Sequence, residues 1–96
     1  MAKVVITRAA GEELARLVRT HGLPADTKER FLSSVRDLSE FPELGSSLVG
    51  RWRGYRFVLG PWRWMLIVYR YEADTDVVVI ATIQDARIRR SPTTGP

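Results

Sequence analysis

The apolar residues of this chain change period part-way along, and that change fixes the class of fold it can adopt. Between residues 10 and 41 they recur every three or four positions. From about residue 52 to residue 84 they alternate, or run in short β-branched and aromatic blocks. A period near 3.6 buries one face of a helix, and a period of two buries one face of a strand. The chain therefore reads as a helical first half followed by a β second half, with one short strand ahead of both.

That first strand is Lys3–Thr7 (KVVIT). Ala10, Leu14, Leu17, Val18 and His21 then fall on one helical face. Thr7 or a near neighbour caps the helix, and Glu12 and Glu13 sit early, where the dipole favours acids. Gly22 and Pro24 end it. Asp26-x-x-Glu29 resembles a capping box. It opens a second helix with Phe31, Leu32, Val35, Leu38 and Phe41 as its stripe and Pro42 and Gly45 as its stop. The short link predicts an antiparallel helical hairpin. Strands come next at Trp52–Leu59, Trp62–Glu72 and Val77–Gln84, separated by turns at Gly60-Pro61 and Ala73–Asp76. The expected order is β-α-α-β-β-β. It makes an α+β fold in which an antiparallel sheet packs on an N-terminal helical hairpin. Residues 1–90 read as a single domain, and 91–96 (SPTTGP) as a flexible tail.

Composition removes several chemistries. The chain has 96 residues, no cysteine and one histidine, so it offers no disulfide, no thiolate nucleophile and no multi-histidine metal cluster. No metal or cofactor is expected. No apolar run reaches the length of a membrane span, and glutamates arrive too early for a secretory leader. A cytoplasmic location is the expectation. The net charge of +4 is unevenly placed: residues 1–48 hold seven Lys/Arg and seven Asp/Glu, whereas residues 49–96 hold eight arginines and four acids. A basic half on a neutral half suggests a face that meets an anionic partner.

The basic half centres on Arg51–Tyr71, where five arginines, three tryptophans and three tyrosines share 21 residues. Arginine grips phosphate or carboxylate through a planar fork. Read as a strand, the segment puts Arg51 and Arg53 on one face and Arg56 on the other, with Trp52. Arginines on an edge strand also keep a sheet soluble and block edge pairing, so Arg51, Arg53 and Arg70 admit either role. Trp52, Trp62 and Trp64 read as packing residues, with Trp62 the most exposed. His21 reads as a cap or packing residue. The groups in this half that can move a proton are Tyr55, Tyr69, Tyr71, Glu72 and Asp85. Asp85, two residues before Arg87, is the best placed, although an Asp–Arg pair at a strand exit is more often a plain ion pair.

Four segments together resemble the RelE/ParE superfamily of toxins from bacterial type II toxin–antitoxin systems. They are VVITRAAGEELARL, LSEFPELGSSL (similar to L-x-x-x-P-x-x-G), GYRFVLGPWRWMLIVYRY and VVVIATIQDAR. Their order and spacing span about residues 3–90. The resemblance implies a growth-inhibiting toxin, of the kind linked to plasmid stabilisation, with a cognate antitoxin as partner in a hetero-oligomer. RelE-like members cut mRNA in the ribosomal A site, whereas ParE-like members inhibit DNA gyrase. Arg87 matches the arginine at the exit of the last strand. Arg56 lies in the strand where RelE-like enzymes place lysines. Leu66 stands where an arginine is frequent, with Arg63 three residues earlier as a substitute. The late tyrosine or histidine of the RNA-cutting members has no match, and Gln84 and Asp85 stand near its place.

The resemblance and the charge pattern give Arg56, Arg63, Asp85 and Arg87 as site residues, in the role of anion, phosphate or target contacts. In-line RNA cleavage needs a base, an acid and a cation, and arginine supplies only the cation. The expected function is therefore ParE-like binding of DNA gyrase. The alternative is a metal-independent, ribosome-dependent mRNA endonuclease with a diverged site. From another class, the alternative is a non-toxic basic nucleic-acid-binding module.

Overall fold

The computed structural model describes residues 1–87 and contains β1 (Lys3–Ile6), α1 (Arg8–His21), α2 (Thr27–Glu40), β2 (Ser46–Ser47), β3 (Arg56–Leu59), β4 (Met65–Glu72) and β5 (Val77–Asp85). The expected tail at 91–96, and Arg89 and Arg90, lie outside the described residues. The strands form one sheet in the order β1-β5-β4-β3-β2. β3, β4 and β5 are linked by short turns and pair antiparallel, as such links require. The sheet as a whole is mixed. β1 runs parallel to β5, from Lys3 beside Val77 to Ile6 beside Ile80. No hairpin turn ties β1 to its neighbour, so its direction is free of the meander rule.

Several boundaries differ from the sequence reading. β3 starts at Arg56 rather than Trp52, because Gly50–Trp52 forms a tight 3₁₀ turn. Arg51 and Arg53 are therefore not strand residues. β4 starts at Met65, since 60–64 close a turn through Gly60 N–H to Met65 O at 2.8 Å and Met65 N–H to Trp62 O at 3.0 Å. Thr7 does cap α1, accepting from Ala10 N–H at 3.2 Å. Glu12 and Glu13 lie beyond its first turn, because the helix begins at Arg8. The capping box at Asp26 does not form: its carboxylate accepts from Arg30 Nε at 3.0 Å instead.

Both helices cover one face of the sheet. Ala10, Leu14 and Leu17 of α1 and Phe31, Val35 and Leu38 of α2 pack on Met65, Ile67, Tyr69, Val78, Ile80 and Ile83. Leu32 and Phe41, expected in the α2 stripe, are exposed. Alternation along β4 turns Leu66 and Val68 away from the helices, yet both are buried, outside the main core. Among the described residues no helix is long and apolar enough to cross a membrane.

The sheet contains one irregularity, and it sets which side chains of β5 face the helices. Between Val68 and Tyr69 the partners jump from Thr82 to Ile80, so Ala81 is an extra residue in β5. Such a bulge reverses the alternation beyond it. Thr7 secures it: its N–H and hydroxyl donate to Ile80 O at 3.1 and 2.9 Å, and the hydroxyl also lies 3.2 Å from Ala81 O. β1 ends here, and α1 takes over the edge of β5. Glu13 Oε1 accepts from Thr82 Oγ1 at 2.7 Å and from Ile83 N–H at 3.1 Å. Replacing Glu13 by Ala strands that edge amide. The expected loss is about 1–3 kcal/mol in urea unfolding, and a change below about 0.5 kcal/mol would show that water replaces the carboxylate.

Candidate functional site

Because of the bulge, Asp85 shares the helix-facing side of β5 with Ile83. Its side chain is only 6 % exposed. Arg87 donates to it as a fork, Nε to Oδ1 at 3.0 Å and Nη2 to Oδ2 at 2.9 Å. The main-chain N–H of Arg87 also donates to Oδ1 at 2.9 Å, so the carboxylate closes the turn that ends the strand. His21, the last residue of α1, brings Nε2 to 3.2 Å from Oδ2, and the Thr20 hydroxyl lies 2.9 Å from its Nδ1. Donation by Arg87 is the main effect on the acid. It outweighs burial and holds the Asp85 carboxyl at about 2, below its ordinary 3.8. An acid held that low is a poor base at neutral pH.

Aromatic rings from the β3–β4 turn complete the cluster. The His21 ring stacks on Trp64 at 4.8 Å, 16° from coplanar, and the Arg87 guanidinium carbon lies 4.7 Å from the Trp64 ring. Trp62 stacks on Trp64 at 6.2 Å, and Arg30 of α2 sits 5.9 Å from Trp62. Trp62 is thus partly buried against the core, as Trp64 is, and Trp52 is partly buried as well. Arg63 occupies the same turn and is exposed, with no hydrogen bond or ion pair among the described residues. One end of the sheet therefore gathers Arg87, Asp85 and His21 at Trp64, with Arg63 exposed in the adjoining turn. Arg87 keeps 59 % of its side chain in solvent, so its outer edge is open to an anionic partner.

Arg56 belongs to a different place. On β3 it pairs with Tyr69, in the middle of β4. Its Nη1 donates to Gly45 O at 2.8 Å and Glu43 O at 3.3 Å, and Nη2 lies 3.5 Å from a Glu43 carboxylate oxygen. Gly45 N–H donates in turn to the fully buried Tyr69 hydroxyl at 2.9 Å. Burial raises the Tyr69 pKa, only partly offset by that hydrogen bond, so the phenol stays protonated. Any side chain at position 45 would collide: a Cβ there falls 2.5 Å from Phe57 O and 2.8 Å from the Tyr69 ring and hydroxyl.

The model of the ParE toxin of type II toxin–antitoxin systems matches residues 4–89. The chain belongs to this toxin family. Solved structures agree on the fold. The toxin is similar to a chain of the Pseudomonas aeruginosa chromosomal ParDE system (14 % identity, 91 % of this chain and 98 % of that one, TM-score 0.70). It is also similar to chains of the intact Escherichia coli RelBE complex (12 %, 92 % and 100 %, 0.68) and the Mycobacterium tuberculosis RelBE2 complex (23 %, 88 % and 96 %, 0.59). No curated protein gave a significant sequence match.

Two of the segments that carried the family resemblance meet in the Gly45 clamp. The P-x-x-G segment and the tyrosine strand touch through Gly45, Tyr69 and Arg56, so this part of the toxin pattern has a folding reason. Of the four site residues read from the sequence, the fold brings together Arg63, Asp85 and Arg87 at one end and leaves Arg56 in the clamp. His21 and Trp64, expected as packing residues, join the cluster. No local signal marks His21, which meets Asp85 across 64 positions of sequence. Among the described residues no group of three His, Cys, Asp or Glu is placed to hold a metal.

Proposed function

We propose that this toxin arrests growth by binding DNA gyrase, with a cognate antitoxin that masks its basic sheet end. The observation that carries this reading is the state of Asp85. The Asp85 carboxylate is forked by Arg87 and held ionised to about pH 2, which suits an arginine-presenting contact better than proton transfer. Arg56 is engaged by main-chain carbonyls, and Leu66, where the family frequently has an arginine, is buried and apolar. The set needed for in-line cleavage is therefore thin.

A second reading rests on one specific observation: His21 reaches the Asp85–Arg87 pair from another element. An imidazole beside a cation is the acid–base partner that an mRNA endonuclease needs. One comparison separates the two. Purified toxin is expected to abolish gyrase supercoiling while mRNA on translating ribosomes stays intact. Codon-positioned cuts that disappear in both His21→Ala and Arg87→Ala would overturn the gyrase reading. Unchanged growth on induction without antitoxin would instead support the non-toxic module. An antitoxin complex leaving Arg56, Arg63 and Arg87 all uncovered would exclude direct masking.

A further inference from the structure

We propose that the turn Gly50–Gly54 is a second anion-contact site, and that its ligand is the phosphate backbone of duplex DNA. The turn reads G-R-W-R-G. It is a hydrogen-bonded turn rather than an open loop. Trp52 N–H donates to Val49 O at 3.3 Å, Arg53 N–H to Gly50 O at 3.0 Å, and Tyr55 N–H to Trp52 O at 3.0 Å. Gly50 and Gly54 bracket it with φ of 68° and 89°, a region that glycine enters at no steric cost. A Cβ added at either would meet nothing within 4 Å, so both ends of the turn stand in open space.

Trp52 anchors the turn. Its ring meets Tyr55 edge-on at 5.5 Å, and its indole N–H is shielded, with no partner among the described residues. Arg51 and Arg53, on either side of that anchor, are exposed. Elsewhere in the β half, Arg56, Arg70 and Arg87 each face a carboxylate, and only the exposed Arg63 shares the unpaired state among the described residues. Arg51 and Arg53 have no ion-pair partner among the described residues. Protection of a strand edge does not explain them, because neither is on a strand. Two unpaired guanidiniums on a preformed turn, with an exposed Val49 beside them, suit a backbone of regularly spaced phosphates. The turn lies at the opposite end of β3 from the Arg63 turn, roughly 13 Å away by strand rise. It is therefore separate from the Asp85–Arg87 cluster.

The choice of duplex DNA rests on the gyrase reading, since gyrase acts on DNA; the geometry of the turn does not. The test measures binding of the full chain to a labelled 20-base-pair duplex, and to single-stranded RNA of equal length, from 50 to 200 mM salt. No gyrase is present, so the result is independent of the supercoiling assay. The wild type is expected to bind the duplex with a steep salt dependence. Arg51→Ala/Arg53→Ala should lower the slope of log affinity against log salt by about 2, one phosphate contact per arginine. Arg51→Lys/Arg53→Lys should retain most of it. An unchanged slope in the Ala pair, binding to RNA alone, or absence of salt-dependent duplex binding by the wild type would each overturn the proposal. So would an Ala pair that loses antitoxin affinity while its DNA slope is unchanged.

Discussion

Gly45→Ala should unfold this toxin more readily than a methyl added at any of its other glycines. The new Cβ would lie 2.5 Å from the carbonyl oxygen of Phe57 and 2.8 Å from the Tyr69 ring and hydroxyl. The first is main chain in a paired strand, and the second is a fully buried ring with nowhere to swing. Forcing extra volume into such a site costs about 1–3 kcal/mol. Moving the loop away instead breaks Gly45 N–H to Tyr69 and Arg56 to Gly45 O. It leaves a buried hydroxyl and amide unpaired, at a similar cost of about 1–3 kcal/mol. By either route the expected loss is about 2–3 kcal/mol. In a domain of this size that lowers the midpoint of thermal unfolding by roughly 10 °C or more. A fall of under about 3 °C, read by circular dichroism on the full chain, would mean that the loop and β3 separate freely and that the clamp has no structural weight.

The clamp also shows how much of the fold is legible in the sequence. Periodicity alone predicts the helices, because their buried residues repeat at helical spacing in a local window. The meander is equally local: its turns announce themselves through Gly60-Pro61 and Ala73–Asp76. The parallel pairing of β1 with β5 is not local. A four-residue strand far along the chain from its partner carries no mark of its direction. Trp52 resembles a strand residue because aromatic and arginine residues alternate across 51–56. The left-handed conformations at Gly50 and Gly54 override that alternation and make a turn.

The site is half legible for the same reason. Asp85 and Arg87 are two residues apart, so their pairing can be read from the chain. Their burial and their third partner cannot. Strict alternation from Val78 would turn Gln84 toward the helices and Asp85 away. One extra residue at Ala81 reverses this and delivers the carboxylate to His21. The bulge is fixed by Thr7, from the other end of the chain. Arg56 reads as an anion contact because it lies in the basic strand. Its main-chain acceptors at Glu43 and Gly45 come from the exit of α2, and only the folded register puts them in reach.

Removing the acid tests this arrangement directly. Asp85→Ala leaves the Arg87 main-chain N–H, the guanidinium fork and the His21 ring without their common acceptor. The expected loss at pH 7 is about 2–3 kcal/mol, most of it from unsatisfied donors at a largely buried position. Part of this depends on pH. The folded state holds the carboxyl at about 2 against an ordinary 3.8. The ionised acid therefore contributes stability that is complete above about pH 4 and disappears as pH falls through 2. The full shift corresponds to about 2 kcal/mol. Arg87 is 59 % exposed, however, and solvent screening lowers the expected electrostatic share to on the order of 1 kcal/mol. Unfolding curves of the wild type and Asp85→Ala should thus approach one another between pH 4 and 2, while Asp85→Asn, which keeps an oxygen for the turn, falls between them at neutral pH. Parallel curves across that range would show that the carboxylate acts only as a neutral turn-closing oxygen. Arg87 would then be positioned by its stacking on Trp64 rather than by charge, and the cluster would present its guanidinium to a target with the same geometry at any pH.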